Sequence, residues 1–274
     1  MEYAHEGLTS DGDFALEAVR LDALALEFAP RALKANRDVV LEAVKQNGFA
    51  LARADDRLKQ DHEIVLAAVN QNADVIMRVE ARFLRDREVV LEAVRQNFRL
   101  LALAHADLKR DRDFVLEAVQ YFAVPTLRWA PAFGGDREVV LEAVRNDGLA
   151  LRYAHAGLKR DRRVVLEAVR NDGLALEHAH DDFKQVPVLV SAAVRQNGLA
   201  LQYAHEACKR DRQVVLAAVR QNGAALQYAH ERLKQDREVG LEAVRQTARA
   251  WEFLAGEARC DTYVHRAVRE HMGF

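Results

Sequence analysis

The sequence predicts an all-α solenoid of about ten 25-residue helix–turn–helix repeats, and three observations carry that prediction. One signature recurs at a strict spacing along nearly the whole chain. The composition favours helix, with much Ala, Leu, Val, Glu and Arg against only 4 Pro and 13 Gly. The apolar residues cluster with helical spacing instead of alternating as in strands.

The period can be read directly. From Asp136 the chain reads DREVVLEAVRNDGLALRYAHAGLKR, and from Asp161 DRRVVLEAVRNDGLALEHAHDDFKQ. From Asp211 it reads DRQVVLAAVRQNGAALQYAHERLKQ. The opening position recurs at Asp11, Asn36, Asp61, Asp86, Asp111, Asp136, Asp161, Val186, Asp211, Asp236 and Asp261, always 25 residues apart. Residues 1–10 are then a partial repeat, 11–260 ten tandem repeats and 261–274 a degenerate C-terminal cap, all in one domain spanning 1–274. The partial repeat is recognised because Tyr3-Ala4-His5-Glu6-Gly7-Leu8 matches Tyr153-Ala154-His155-Ala156-Gly157-Leu158. In the last repeat His265 and Arg266 stand where the others carry Val and Leu, as an end cap facing water requires.

Within a repeat, the Asp at position 1 reads as the N-cap of a first helix. Acids at position 3 (Asp38, Glu63, Glu88, Glu138) and bases at position 10 (Arg95, Arg145, Arg170, Arg220) complement the helix dipole. Apolar positions 4, 5, 6, 8 and 9 make a stripe wider than one face needs, so the helix is expected to be covered by the repeats on both sides. Gly at position 13, after Asn or Asp, is expected to be a left-handed C-terminal cap. A second, shorter helix then runs through Leu-Ala-Leu-x-Tyr-Ala-His, and x-x-Leu-Lys-Arg leads to the next cap. Ala at positions 8, 15 and 19 lets neighbouring helices approach closely. A single repeat cannot bury enough apolar surface to stand alone; stacking shares the core between neighbours. One slip interrupts the pattern: in Tyr121–Gly135 the match is best with one residue added before Leu127-Arg128-Trp129 and one removed after it.

The signature D-R-E-V-V-L-E-A-V-R-Q-N-G-x-A-L-x-Y-A resembles the repeat family catalogued as domain of unknown function 4116, and the resemblance spans nearly the whole chain. It implies an all-helical tandem repeat and carries no established activity and no catalytic residues. The departures are Phe98-Arg99 at the turn, the Tyr121–Gly135 segment, and Val186-Pro187 in place of Asp-Arg.

Forty Lys and Arg against 42 Asp and Glu leave a net charge of -2, so no global field draws in nucleic acid or an anionic membrane. The two cysteines, Cys208 and Cys260, are too few for a disulfide framework, and Cys208 takes a position that is Leu in sister repeats. No apolar run is long enough for a membrane span, and no signal peptide is visible, so a cytoplasmic setting is expected.

Three series invite functional readings. His recurs at position 20 (His5, His105, His155, His180, His205, His230). Equivalent residues on stacked helices lie about 8–10 Å apart, too far for two ligands of one zinc, so closure of the second helix is the favoured role. Position 18 is aromatic in Tyr3, Phe28, Tyr153, Tyr203, Tyr228 and Phe253 but Arg in Arg53, Arg78 and Arg128, which suggests a packing ladder or a stacking platform. Basic residues recur at positions 24, 25 and 2, as in Lys109-Arg110-Arg112, and read as a charge-balanced surface. No nucleophile constellation, Walker loop, G-x-G-x-x-G or H-E-x-x-H occurs. No catalysis, metal or cofactor is expected.

The expected function is a non-enzymatic scaffold that binds a protein or peptide along a concave face. The candidate binding residues are Tyr121, Phe122, Arg128, Trp129 and Phe133 at the slip, with Tyr153, His155, Tyr203, His205, Tyr228 and His230 in the recurring series. Two readings compete with it. A single-stranded RNA reader would use one repeat per base, with position 17 (Glu27, Met77, Arg152, Glu177, Gln202, Glu252) varying as a code requires. A structural spacer, monomeric or associating end to end, would need no binding face.

Overall fold

The computed structural model describes residues 12–272, and the side chains of 16–270. The partial repeat of residues 1–10, with Tyr3 and His5, lies outside the described residues. The packing divides into two compact units, one ending at Ala118 and one beginning at Val119. Among the described residues every regular element is helical. Inside each unit the repeats stack in sequence order, the solenoid arrangement expected.

The first helix of each repeat is ten residues long, as in Arg37–Gln46, Arg137–Asn146 and Arg212–Gln221. Its start is set by the Asp cap: the Asp136 carboxylate accepts the backbone N–H groups of Glu138 and Val139 at 3.0 and 3.2 Å. The wide stripe is buried from both sides, with Val139, Val140, Ala143 and Val144 wholly inaccessible.

The second helix is a 3-10 helix of six residues, as in Gly148–Tyr153 and Gly198–Tyr203, and it stops before the Ala-His pair. With three residues per turn, positions 13, 16 and 19 share one face. Gly148, Leu151 and Ala154 are accordingly all buried. The Asn or Asp at position 12 caps this second helix: Asp147 accepts the N–H of Leu149 at 2.9 Å.

The expected left-handed glycine cap is therefore absent. The residue ending the first helix is extended, at φ -144 for Asp147. The only positive φ among the described residues belongs to Gly256. Glycine serves close approach instead: a Cβ on Gly148 would sit 2.4 Å from the Ala168 carbonyl oxygen of the next repeat.

A short third segment follows, such as Asp181–Lys184 or Glu206–Lys209. Position 20 caps it. The Nδ1 of His180 and of His205 each lies 3.2 Å from the backbone N–H two residues on. At His105, His180, His205 and His230 the ring thus starts the third segment, which corrects the expectation that it closes the second helix.

Three seams join consecutive repeats. The position-20 N–H donates to the position-24 carbonyl of the preceding repeat, as from His180 to Lys159 at 3.0 Å and from His205 to Lys184 at 2.9 Å. The Gln or Asn at position 11 reaches back one repeat. Asn171 accepts the Gly148 N–H and donates to the Arg145 carbonyl, each at 2.8 Å. Gln71 does the same with Gly48 at 2.6 Å and Gln46 at 3.0 Å. The third seam is ionic and runs from position 2 to the acids of the next repeat.

At the slip, the six-residue 3-10 helix is replaced by a seven-residue α-helix, Ala123–Trp129. Seven α residues span about 10.5 Å and six 3-10 residues about 12 Å, so the extra residue is absorbed with little change in length. Leu127 and Ala130 are buried as Leu151 and Ala154 are, which places Trp129 at position 18. Arg128, assigned to position 18 by count, is shifted to position 17 and is exposed. Thr126 takes the place of a buried Ala and is wholly inaccessible, with no hydrogen-bond partner for its hydroxyl.

Candidate interaction surface

The candidate residues at the slip take separate roles. Tyr121 ends the helix Arg112–Tyr121 and is 40% exposed, and Arg128 is exposed. Phe122 and Trp129 are half-buried. Phe133 is half-buried at position 23, where Leu33, Phe83, Cys208 and Leu233 are core residues, so it is a packing residue.

The structure brings Tyr153 and His155 against the glycine pair of the slip. The His155 N–H donates to the Gly134 carbonyl at 2.7 Å. A Cβ on Gly135 would lie 2.8 Å from His155 Nδ1, and one on Gly134 would lie 2.4 Å from the Tyr153 carbonyl oxygen. The pair makes room for an imidazole that is itself exposed.

Tyr203 and Tyr228 are half-buried neighbours in the position-18 column. Burial, then a hydrogen bond to the Glu177 carboxylate and the nearby Tyr228, raise the Tyr203 phenol above its ordinary range. His178, between Tyr153 and Tyr203 in this column, is held below the usual imidazole value by burial and by Arg152, Lys159 and Lys184, with Glu177 opposing. His205 and His230 are spent on capping, with His230 Nδ1 3.3 Å from the Arg232 N–H. The position-18 column therefore reads first as packing. Among the described residues no three His, Cys, Asp or Glu side chains converge as cation ligands.

A different surface stands out once the ionic seam is traced. Arg37 pairs with Asp61 at 3.1 Å and with Glu63; Arg137 pairs with Asp161 at 2.8 Å. Arg212 pairs with Asp236 at 3.0 Å and with Glu238, and Arg237 with Asp261 at 2.9 Å. Position 10 contributes too: Arg95 reaches Glu92 and, in the next repeat, Glu117, each at 3.2 Å. The basic stripe is neutralised across repeat boundaries as well as along each helix.

The Asp161 and Val186 repeats break this seam. Val186, Val188 and Ala192 stand where sister repeats place the acids of positions 1, 3 and 7. Arg162 and Arg195 consequently have no carboxylate partner among the described residues, and Arg170 has only its own helix's Glu167 at 3.9 Å. These three arginines rim a groove of about 640 Å³ floored by Leu166, Phe183, Val186, Val188, Leu189 and Ala192. Val188 is 71% exposed.

The equivalent groove between the Asp61 and Asp86 repeats is about 650 Å³, but four acids, Asp86, Glu88, Glu92 and Glu117, line it beside His62, Arg87 and Arg95. Volume is unchanged while the carboxylates are deleted. The next groove along, about 440 Å³, shares Arg195 and adds Arg220, and no acid lines it either.

The missing Asp cap is offset locally. Pro187 at the first helical position has no N–H to satisfy, and the Leu189 N–H turns to the Val186 carbonyl at 3.1 Å. Val186-Pro187 departs from the repeat already in the sequence. Its consequence depends on position 2 pairing across the repeat boundary, which only the packing reveals.

Fold and surface together define an all-helical tandem-repeat protein whose recurring polar residues are structural. The family described as domain of unknown function (DUF4116) matches residues 36–83, 86–131, 136–184, 189–230 and 211–257, so each match covers nearly two 25-residue repeats. The chain belongs to this family. No curated protein and no solved structure matches it.

Proposed function

We propose that the chain is a non-catalytic interaction scaffold that holds a protein or peptide on the face formed by positions 2, 6, 7 and 10 of consecutive first helices. The observation that carries this reading is the acid-free groove at Val186: it departs from the repeat where departure is not needed for folding. The three acid deletions, at Val186, Val188 and Ala192, weaken the scaffold's own ionic seam and leave an apolar floor with Val188 exposed, the combination interfaces use. His105, His180, His205 and His230 and the position-1 Asp side chains, which would be the raw material for catalysis, are occupied as caps, which supports a binding role over an enzymatic one.

The test is site-specific photo-crosslinking in the intact chain. A benzophenone amino acid at Val188 is expected to capture a discrete set of proteins that the same residue at exposed Ala156 does not capture. Identical capture at both positions, or none from any groove position, would overturn the reading. We further propose that the chain acts inside the cell. No helix among the described residues is long and apolar enough to cross a membrane.

A further inference from the structure

We propose that the occupant of the Val186 groove is an acidic, aliphatic segment of a partner protein, held extended across the Asp161, Val186 and Asp211 repeats. This rests on the scaffold reading above and names its partner's chemistry.

Charge complementarity comes first. The groove and its continuation are lined by Arg162, Arg170, Arg195 and Arg220 and by no acid; outside the lining, Arg170 and Arg220 make only long pairs, with Glu167 at 3.9 Å and Glu242 at 3.7 Å. In the sister groove, carboxylates of the chain itself meet the equivalent cations. A partner's carboxylates would take the places vacated at Val186, Val188 and Ala192. Guanidinium groups bind carboxylates in forked pairs, and these side chains are already exposed, so little desolvation opposes the contact.

Spacing comes second. Arg170, Arg195 and Arg220 occupy position 10 of consecutive repeats, roughly 8–10 Å apart for packed helices. A chain in the extended polyproline II form advances about 9 Å in three residues and returns every third side chain to the same face. Acids at every third residue would therefore meet successive arginines, with the intervening side chains free to descend.

The floor decides between polymers. Leu166 and Val188 offer aliphatic surface, which Leu or Val side chains fill and a ribose-phosphate backbone does not. Base recognition would call for exposed stacking aromatics. Here Phe183 is the single aromatic side chain in the lining, and it is half-buried.

The experiment is fluorescence anisotropy of the full chain with labelled peptides of about nine residues. One probe has Asp or Glu at every third position with Leu and Val between. A second replaces its acids by Asn and Gln, a third replaces its aliphatics by Ser and Gly, and a fourth is oligouridine. The first should bind tightest, at least about ten-fold over the neutral peptide, and should weaken several-fold as salt is raised through the range where exposed charges become screened.

The decisive variant restores the repeat's own acids: Val186→Asp, Val188→Glu, Ala192→Glu. It should lose binding by about ten-fold or more, while its unfolding midpoint stays or rises, because the seam and the cap are rebuilt. Should that variant fold poorly, Arg162→Gln with Arg195→Gln gives the same reading. Equal binding of the neutral peptide, undiminished binding by the acid-restored variant, or tighter binding of oligouridine would overturn the proposal. If no peptide binds while Val188 still crosslinks a protein, the acidic class falls and the scaffold reading stands; if crosslinking fails as well, both fall.

Discussion

Replacing Asn171 by Leu should uncouple two neighbouring repeats while leaving their apolar contact intact. The side chain bridges them with two bonds of 2.8 Å, from the Gly148 N–H and to the Arg145 carbonyl. Each neutral hydrogen bond is worth about 0.5–1.5 kcal/mol net. The two ends differ: Gly148 is buried, so its stranded N–H carries a desolvation penalty, whereas the Arg145 carbonyl belongs to an exposed residue and can turn to water. The expected cost is about 2 kcal/mol. The higher helix propensity of Leu opposes it by a few tenths.

Asn171→Gln is the control, since Gln occupies this position at Gln46, Gln71, Gln96, Gln196 and Gln221. It should cost less than about 0.5 kcal/mol. Urea unfolding followed by circular dichroism reads the global effect, and amide hydrogen exchange at Gly148 reads the local one. Faster exchange at Gly148 in the Leu variant alone is the expected result. If Leu and Gln behave alike and Gly148 exchange is unchanged, the amide seam is not a coupling device and the account of how the repeats are joined is wrong.

Other consequences follow from single sites. Thr126→Val removes a buried hydroxyl without a partner at constant shape and should stabilise the fold by about 1 kcal/mol, seen as a higher thermal midpoint; destabilisation would contradict the packing described. Cys260 is exposed and Cys208 inaccessible with its thiol pushed up by burial, so a disulfide-exchange reagent should titrate one thiol in the native chain and the second only after denaturation. The hydrogen bond from Arg137 holds the Asp161 carboxyl below the usual carboxylate range, against the opposing effect of burial. A depressed carboxylate contributes stability that is complete above its unfolded value, about 3.9, and is lost as pH falls through the folded value. Asp161→Asn keeps a capping side chain, as Asn36 does, and should flatten the acid end of the stability–pH curve. An unchanged curve would show that the seam carries no linkage.

Much of the architecture was legible because its determinants are local. A 25-residue period, an Asp cap and a wide apolar stripe depend only on neighbours along the chain, and the first helix emerges where they place it. The 3-10 nature of the second helix was written in the three-residue spacing of Gly148, Leu151 and Ala154, a signal overshadowed by the expectation of α-helix. The candidate site was legible only as a list of anomalies. The slip at Tyr121–Gly135 looked the richer one, being aromatic, yet Phe133 takes a packing position and Trp129 falls into the aromatic column. Val186-Pro187, in the sequence only a departure from Asp-Arg, leaves a groove of unchanged size without its acids.

By itself, then, the sequence determined the period, the helical class and the position of each first-helix cap, since these rest on backbone preferences acting within a few residues. Tertiary structure decided what the recurring residues are for. Glycine at position 13 answers a carbonyl one repeat away, and Asn171 answers an N–H 23 residues back. Arg162 lacks a partner because residues 24 and 26 positions on, Val186 and Val188, carry no charge. Contacts across a repeat boundary depend on how two helices lie against each other, and spacing along the chain does not encode that until the helices have packed.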